Sequence, residues 1–266
     1  MLKIGVAQAD FTLADRSANL EIIRSLLAEA AELDVDVLVL PELANSGYNF
    51  ESLAQAESAA EVADEGPVCR LLRDWSADGR LVVSGLCERA GKVLYNSAVV
   101  YAAGKLETVY RKAHLFANES SFFRPGTQKP PVVQFHGQQF GVMICFDWFF
   151  PEFARSLALR GAQIILHPAN LVLPYCQKAM ITRSIENRVF TATANRTGNE
   201  RGLAFSGLSQ ITSPTGELLA QAGGEFSGVV WAEADLNQAD NKWVTKQNDL
   251  FHDRRPELYD ELCAQN

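Results

Sequence analysis

The sequence predicts an α/β fold built from two similar halves, each a sheet covered by helices, with the two sheets face to face and the helices outside. Two observations carry this. Short apolar runs of strand length alternate with amphipathic segments of helical period. The same order of elements then returns in the second half of the chain.

The elements follow in order. Leu2–Gln8 is a short apolar run suited to a central strand. Residues 16–34 place Leu20, Ile23, Leu27 and Ala31 at helical spacing, with Ser17 as the expected N-cap. Asp36-Val-Leu-Val-Leu40 is the next strand, and Pro41 ends it. Gly66-Pro67 opens a second helix with Val68, Leu71, Leu72 and Trp75 on one face. Residues 81–88, 93–101 and 105–110 read as three strands, with tight turns at Gly91 and Gly104.

The second half repeats the plan. Phe140-Gly-Val-Met-Ile144 resembles Ile4-Gly-Val-Ala-Gln8, and Gln163-Ile-Ile-Leu-His-Pro168 resembles Asp36-Val-Leu-Val-Leu-Pro41. A short helix over 151–160 starts at Pro151, and another covers 177–188 before a strand over 189–194. Ala204-Phe-Ser-Gly-Leu-Ser209 echoes Val82-Val-Ser-Gly-Leu86. Ser213-Pro-Thr-Gly-Glu-Leu218 echoes Tyr101-Ala-Ala-Gly-Lys-Leu106. No linker or low-complexity stretch divides the chain. Residues 1–236 are therefore expected to form one domain. Residues 237–266 lie outside the repeat, either as a surface tail or as an arm packed on a neighbouring subunit.

Composition narrows the function classes. The chain has 266 residues, 47% hydrophobic and 21% charged, with a formal net charge of -8. That is an ordinary globular composition without the basic footprint of a nucleic-acid binder. No apolar run approaches the ~20 residues of a membrane span, and the first residues lack the pattern of a secretory signal. The five cysteines are scattered and form no CxxC pair, so reduced thiols in the cytoplasm are expected. The four histidines have no metal-ligand spacing such as HExxH, and neither a P-loop, a GxGxxG nor a GxSxG elbow occurs.

Three residues fall at strand ends, where α/β folds commonly place their sites. Glu42 follows an apolar strand; burial would raise its pKa and suit it to general-base work, while exposure would make it an ordinary loop carboxylate. Lys112 follows Arg111 at the end of a strand, so alternation turns one of the two inward. An inward lysine could stabilise an oxyanion; otherwise the two form a surface basic pair. Cys145 closes a strand and precedes a helix. A nucleophile on such a turn is exposed yet rigid, and the next backbone N–H can point at a developing oxyanion. The competing role is a buried structural thiol, the same reading that fits Cys69, Cys87, Cys176 and Cys263.

Leu38-Val-Leu-Pro-Glu42, Tyr110-Arg-Lys-Ala-His-Leu115 with Phe123-Arg-Pro-Gly126, and Gly141-Val-Met-Ile-Cys-Phe-Asp147 resemble the three signature blocks of the nitrilase superfamily of carbon–nitrogen hydrolases. They occur in the family's order and each carries its reactive residue. The resemblance implies a four-layer αββα sandwich, a Glu-Lys-Cys triad, and pairing into homodimers or larger assemblies. It implies Cys145 as nucleophile, Glu42 as general base and Lys112 as oxyanion stabiliser, aided by the Phe146 N–H. Glu119 matches the second glutamate that many members place beside the substrate; it could equally hold Lys112 by an ion pair. The expected reaction cleaves a small linear amide through a cysteine thioester and releases ammonia, with no metal or organic cofactor. Members of the longer nitrilase kind resemble Cys-Trp-Glu at the nucleophile, whereas this chain has Cys145-Phe-Asp147. That difference favours an amidase or carbamoyl-amine hydrolase, with a nitrile substrate left open. An inactive binding or assembly protein on the same fold would be expected to have lost a triad member, and none is lost. Tyr48, Phe146, Trp148 and Asn170 are the candidate substrate-binding residues, with core or interface packing as the alternative for the aromatics.

Overall fold

The computed structural model describes residues 1–264; Gln265 and Asn266, the last two of the expected arm, and the side chain of Cys263 lie outside what it describes. The apolar runs become the central strands of two six-stranded sheets. In the first, β1 (Leu2–Gln8), β2 (Val37–Val39) and β3 (Leu81–Ala90) are parallel. On one side β4 (Val93–Ala102) and β5 (Lys105–Arg111) continue antiparallel, turning at Gly91 and Gly104. On the other, the late strand β14 (Gly228–Ala234) pairs antiparallel with β1.

The second sheet repeats this pattern. Its strands are β6 (Val132–Phe135), β7 (Gln138–Val142), β8 (Ile164–Ala169), β9 (Phe190–Asn195), β12 (Gln210–Thr212) and β13 (Leu218–Gln221), with a small hairpin of β10 (Asn199–Glu200) and β11 (Leu203–Ala204) set apart from it. Strands β7, β8 and β9 are parallel; β6 lies antiparallel on one side, β12 and β13 on the other. Position by position, β7 matches β1, β8 matches β2 and β9 matches β3. One expected echo is therefore corrected. Val82–Leu86 lies within β3, but its counterpart is β9, and residues 205–209 form no strand. The other echo is sound, since both segments make the last hairpin of their sheet.

Burial on both faces explains why the parallel strands read as continuous apolar runs. Ile4, Val6, Val37, Val39, Leu81 and Val83 point into the space between the sheets. Ala7, Leu38, Leu40 and Val82 point the other way, under α1 (Arg16–Glu32) and α3 (Pro67–Ser76). On the far side, α4 (Pro151–Leu159) and α5 (Cys176–Asn187) cover the second sheet with Phe153, Leu157 and Met180. The four layers are thus α, β, β, α. The outer helices stay amphipathic because each buries only one face.

Two details of the helices differ from expectation. Asp15, not Ser17, caps α1: its carboxylate accepts the Ala18 N–H at 3.0 Å. Asn19 accepts the Thr12 N–H at 2.7 Å and donates to Thr12 O at 2.8 Å, which fixes the entering chain and starts the helix before Ser17. The buried stripe of α1 is Asn19, Ile23, Leu26, Leu27 and Ala30, so Leu20 and Ala31 sit at its edge. The short helix α2 (Leu53–Ala59), capped by Ser52, has too few apolar positions to show a period in the sequence.

Residues after Ala234 run across the α4–α5 face of the same chain. Gln163 Nε2 donates to Asp240 at 2.9 Å, and Lys242 Nζ donates to the carbonyls of Asn187 and Arg188 at 3.1 and 2.9 Å. Trp243, Val244, Leu258 and Leu262 on this segment are exposed.

The sheet positions the loop after β2 through a close backbone approach. Gly85 donates to Pro41 O at 3.0 Å and accepts from Ala44 N–H at 3.2 Å. A methyl group on Gly85 would lie 2.3 Å from Glu42 Cα and Leu43 N. Gly85→Ala is expected to cost about 2–3 kcal/mol of stability, since backbone cannot yield as a flexible side chain can. Urea unfolding measures this, and an unchanged midpoint would contradict the contact.

Candidate active site

Segments leaving β2, β5 and β7 bring Glu42, Lys112 and Cys145 into one buried region. Glu42 and Lys112 are fully buried, and Cys145 and Glu119 are 6% and 5% exposed. Lys112 Nζ donates to Glu42 Oε1 and to Glu119 Oε1, both at 2.7 Å. Arg111, by alternation, turns to the other side and pairs with Glu88 at 2.7 Å. Gly126 N–H donates to Lys112 O at 2.8 Å, so the Phe123-Arg-Pro-Gly126 block packs directly on the lysine backbone.

Each carboxylate has one saturated oxygen and one unpartnered oxygen. Glu42 Oε1 also accepts from Asn96 Nδ2 at 2.7 Å, and Glu119 Oε1 also accepts from the Tyr48 hydroxyl at 2.8 Å. Glu42 Oε2 and Glu119 Oε2 are buried without a partner. The ammonium has three hydrogens, of which two are committed to the carboxylates. Asn170, at the end of β8, donates to Glu42 O at 2.9 Å and ties the β2 loop to the second sheet.

The charge balance follows from these neighbours. Burial pulls the Lys112 pKa down, but two carboxylates outweigh it and the net is well above the ordinary lysine value. Glu42 has one opposite charge beside it and a like charge in Glu119. Burial therefore dominates, and its pKa ends above the usual carboxylate range. Burial, then Glu42, pushes the Cys145 thiol well above its ordinary value, with Lys112 opposing. At rest the cysteine is a neutral thiol.

Cys145 sits at φ 39°, a left-handed conformation that costs an L-residue about 1–2 kcal/mol. It opens a 3-10 turn, Cys145–Phe149, instead of closing β7, which ends at Val142. Two groups hold this strained turn. Asp147 accepts the Ile144 N–H at 3.0 Å and the Tyr110 hydroxyl at 2.8 Å on one oxygen, and the His114 N–H at 3.1 Å and ring Nδ1 at 2.8 Å on the other. From behind, His167 Nε2 lies 3.0 Å from Cys145 O, and its Nδ1 lies 3.1 Å from Thr193 Oγ1. Burial lowers the His167 pKa to about 4, so the ring is neutral. A carbonyl oxygen only accepts; Nε2 therefore carries the proton and Thr193 donates to Nδ1.

A cavity of about 20 Å³ opens over Cys145, lined by Phe116, Phe146, Trp148, Asn170, Val172 and Leu173 among others. It adjoins a second of about 150 Å³, which Tyr48, Glu119 and Phe122 help to line, through the shared walls Phe116 and Val172. The candidates Phe146, Trp148 and Asn170 thus border the first cavity and Tyr48 the second. A larger open groove of about 470 Å³, between α4 and the C-terminal segment, contains none of these residues. Among the described residues no cluster of three or more His, Cys, Asp or Glu is placed to hold a metal ion.

Sequence reasoning missed Asn96, Asp147 as an anchor, and His167. Asn96 and His167 did leave a signal: each is a polar residue inside an otherwise apolar strand, and a buried polar group needs a partner.

Known proteins resemble the chain along nearly its whole length. The sequence profile described as carbon–nitrogen hydrolase matches residues 3–241. The chain belongs to the carbon–nitrogen hydrolase family. It is 44% identical over 260 residues to a protein from Pyrococcus abyssi named nitrilase, covering 97% of this chain and 99% of that one. It is 33% identical over 259 residues to an (R)-stereoselective amidase from Pseudomonas sp., covering 96% and 92%. Among solved structures, an amidase from Nesterenkonia sp. superimposes with a TM-score of 0.81 at 29% identity, covering 98% of this chain and 95% of that one. Another structure of that amidase carries the acetamide moiety of fluoroacetamide covalently on its active-site cysteine. This hydrolase therefore has the nitrilase-superfamily fold, with Cys145 at the position expected of the nucleophile.

Proposed function

We propose that the enzyme is an amidase of small linear amides with a neutral or cationic remainder, acting through Cys145, Glu42 and Lys112. One observation carries the reading: a neutral thiol faces a cluster whose single ammonium keeps one hydrogen uncommitted and whose Glu42 keeps one oxygen free. Glu42 Oε2 takes the thiol proton as Cys145 Sγ attacks the carbonyl carbon. The third Lys112 hydrogen and the Phe146 N–H stabilise the oxyanion. The amide nitrogen takes that proton from Glu42, departs as ammonia and leaves a thioester. Glu42 then deprotonates water, which releases the acid and restores the thiol. Glu119 holds Lys112 in place and presents its free oxygen to the substrate.

The cavity walls support the substrate class. Phe116, Phe146, Trp148, Leu171, Val172 and Leu173 are apolar, and among the described residues Glu119 is the one carboxylate lining either cavity. Among the same residues no lysine or arginine lines them, so an anionic tail has no counter-charge. The 44% identity to a protein named nitrilase favours a second reading, in which a nitrile takes the same thiol through a thioimidate.

Ammonia release from small amides, N-carbamoyl amines and nitriles separates these readings. We expect the amides to lead, with at least a thousandfold loss in Cys145→Ala, as for removal of a covalent nucleophile. Release chiefly from nitriles would replace the amidase reading, and an undiminished Cys145→Ala protein would end the mechanism.

Its pH profile should fall on the acid side as Glu42 protonates. Because the Glu42 pKa is raised, that limb lies above pH 4.5, the ordinary glutamate value. Asn96→Ala removes a donor to the ionised form and should move the limb to still higher pH. An unmoved limb would exclude Glu42 as the titrating base.

The homodimer, with the described part of the expected arm, residues 237–264, packed on a neighbour, is proposed on the exposed apolar side chains Trp243, Val244, Leu258 and Leu262. Sedimentation should show a dimer or larger, and a monomer at micromolar concentration would refute it.

A further inference from the structure

The small hairpin β10–β11 lies outside both sheets, yet it carries a nearly buried carboxylate, Glu200, at 5% exposure. Its two oxygens do different work. Oε2 accepts from Arg196 Nη1 at 2.7 Å. Oε1 accepts the backbone N–H of Tyr48 at 3.0 Å and that of Asn49 as well. Arg196 is 1% exposed and lies against the Phe205 ring, with its centre 4.3 Å from the ring centroid. It also donates to Asp10 at 2.9 Å and to Phe11 O.

This ion pair grips the loop that follows β2. Gly47, at φ 73°, lets that loop come close: a Cβ there would lie 2.7 Å from Glu200 Oε2 and 2.7 Å from Leu13 Cα. Beyond the grip, the Tyr48 ring meets Phe205 edge-on at 6.0 Å, and its hydroxyl donates to Glu119 Oε1 at 2.8 Å. Leu203, in the same hairpin, lines the Glu119 cavity. A continuous set of contacts thus runs from Arg196 through Glu200 and the Tyr48 backbone to Glu119 and Lys112.

We infer that Glu200, held by Arg196, is a positioning residue that fixes the Tyr48 hydroxyl on Glu119 and so determines which Glu119 oxygen faces the substrate. Glu200 itself lines neither cavity, and its side chain reaches the site through the backbone of the Tyr48 loop. The inference rests on the amidase reading for its role in turnover. The geometry it invokes is independent of which carbon–nitrogen bond is cleaved.

The test is a double-mutant cycle with Tyr48→Phe and Glu200→Ala. Glu200→Gln serves as a milder second variant that keeps an acceptor for the two N–H groups. Tyr48→Phe removes one hydrogen bond to a charged acceptor and should lower kcat/KM by roughly tenfold or more. Glu200→Ala should lower it at least as far. In the Tyr48→Phe background the Glu200 substitutions should have little further effect, because their consequence passes through the missing hydroxyl. Multiplicative losses, or a Tyr48→Phe enzyme as active as the parent, would overturn the inference. A residue that only supports the fold would lower the urea midpoint without this coupling.

The same cycle can be read from the rate at which iodoacetamide alkylates Cys145, followed by mass spectrometry. That reading needs no turnover. A wild-type protein inactive on every amide would remove the functional reading, while coupled or independent alkylation rates would still decide this one.

Discussion

Everything in the site depends on one buried ammonium between two carboxylates. Burying three charges is unfavourable by itself, and removing Lys112 would leave two buried carboxylates without a counter-charge, at a cost of about 3–5 kcal/mol. The fold supplies the compensation from several directions. Asn96 and Tyr48 each add a donor to an oxygen already bonded to Lys112. The negative excess, two carboxylates to one ammonium, keeps Lys112 protonated, and burial, reinforced by that excess, keeps the nearby thiol neutral. Geometry and protonation are set by the same contacts.

Around the cluster, rigidity is concentrated where the reacting atoms sit. The left-handed residue Cys145 is clamped on one side by Asp147 and from behind by a neutral His167. Neither group needs to change its protonation state during the proposed reaction. The strain at Cys145 persists because the contacts on both sides over-determine it. Aromatic packing of Phe146 against Phe116, Phe149 and Phe150 fixes the outward wall of the turn.

The layers and the central strands were largely legible in the sequence because parallel strands buried on both faces leave apolar runs, whereas the order of strands in each sheet was not. Glu42 and Cys145 were legible because each follows such a run, and Lys112 because it follows an edge strand, all three in recognisable blocks. What stayed hidden has physical causes. The Asp15 cap depends on Asn19 gripping Thr12, an interaction that residue spacing does not announce. The echo at residues 204–209 misled because local similarity says nothing of pairing partners. Asn96 and Glu200 act across long separations: Asn96 reaches Glu42 over 54 residues and Glu200 reaches Tyr48 over 152. Pairing within the first sheet brings Asn96 to Glu42, and the docked sheets bring Glu200 to Tyr48.

The two halves are one architecture used twice, but the chemistry is used once. Glu42 and Asn170 follow equivalent strands, and one is a charged group while the other only donates a hydrogen bond. Glu42, Asn96 and Lys112 come from the first half and Cys145 from the second. The thiol therefore meets its proposed base only when the two sheets dock, a non-local step with its own loop-closure cost. A newly made or partly unfolded chain has a cysteine with no partner beside it. In the proposed reaction, base-assisted attack by Cys145 becomes available only when the fold is complete.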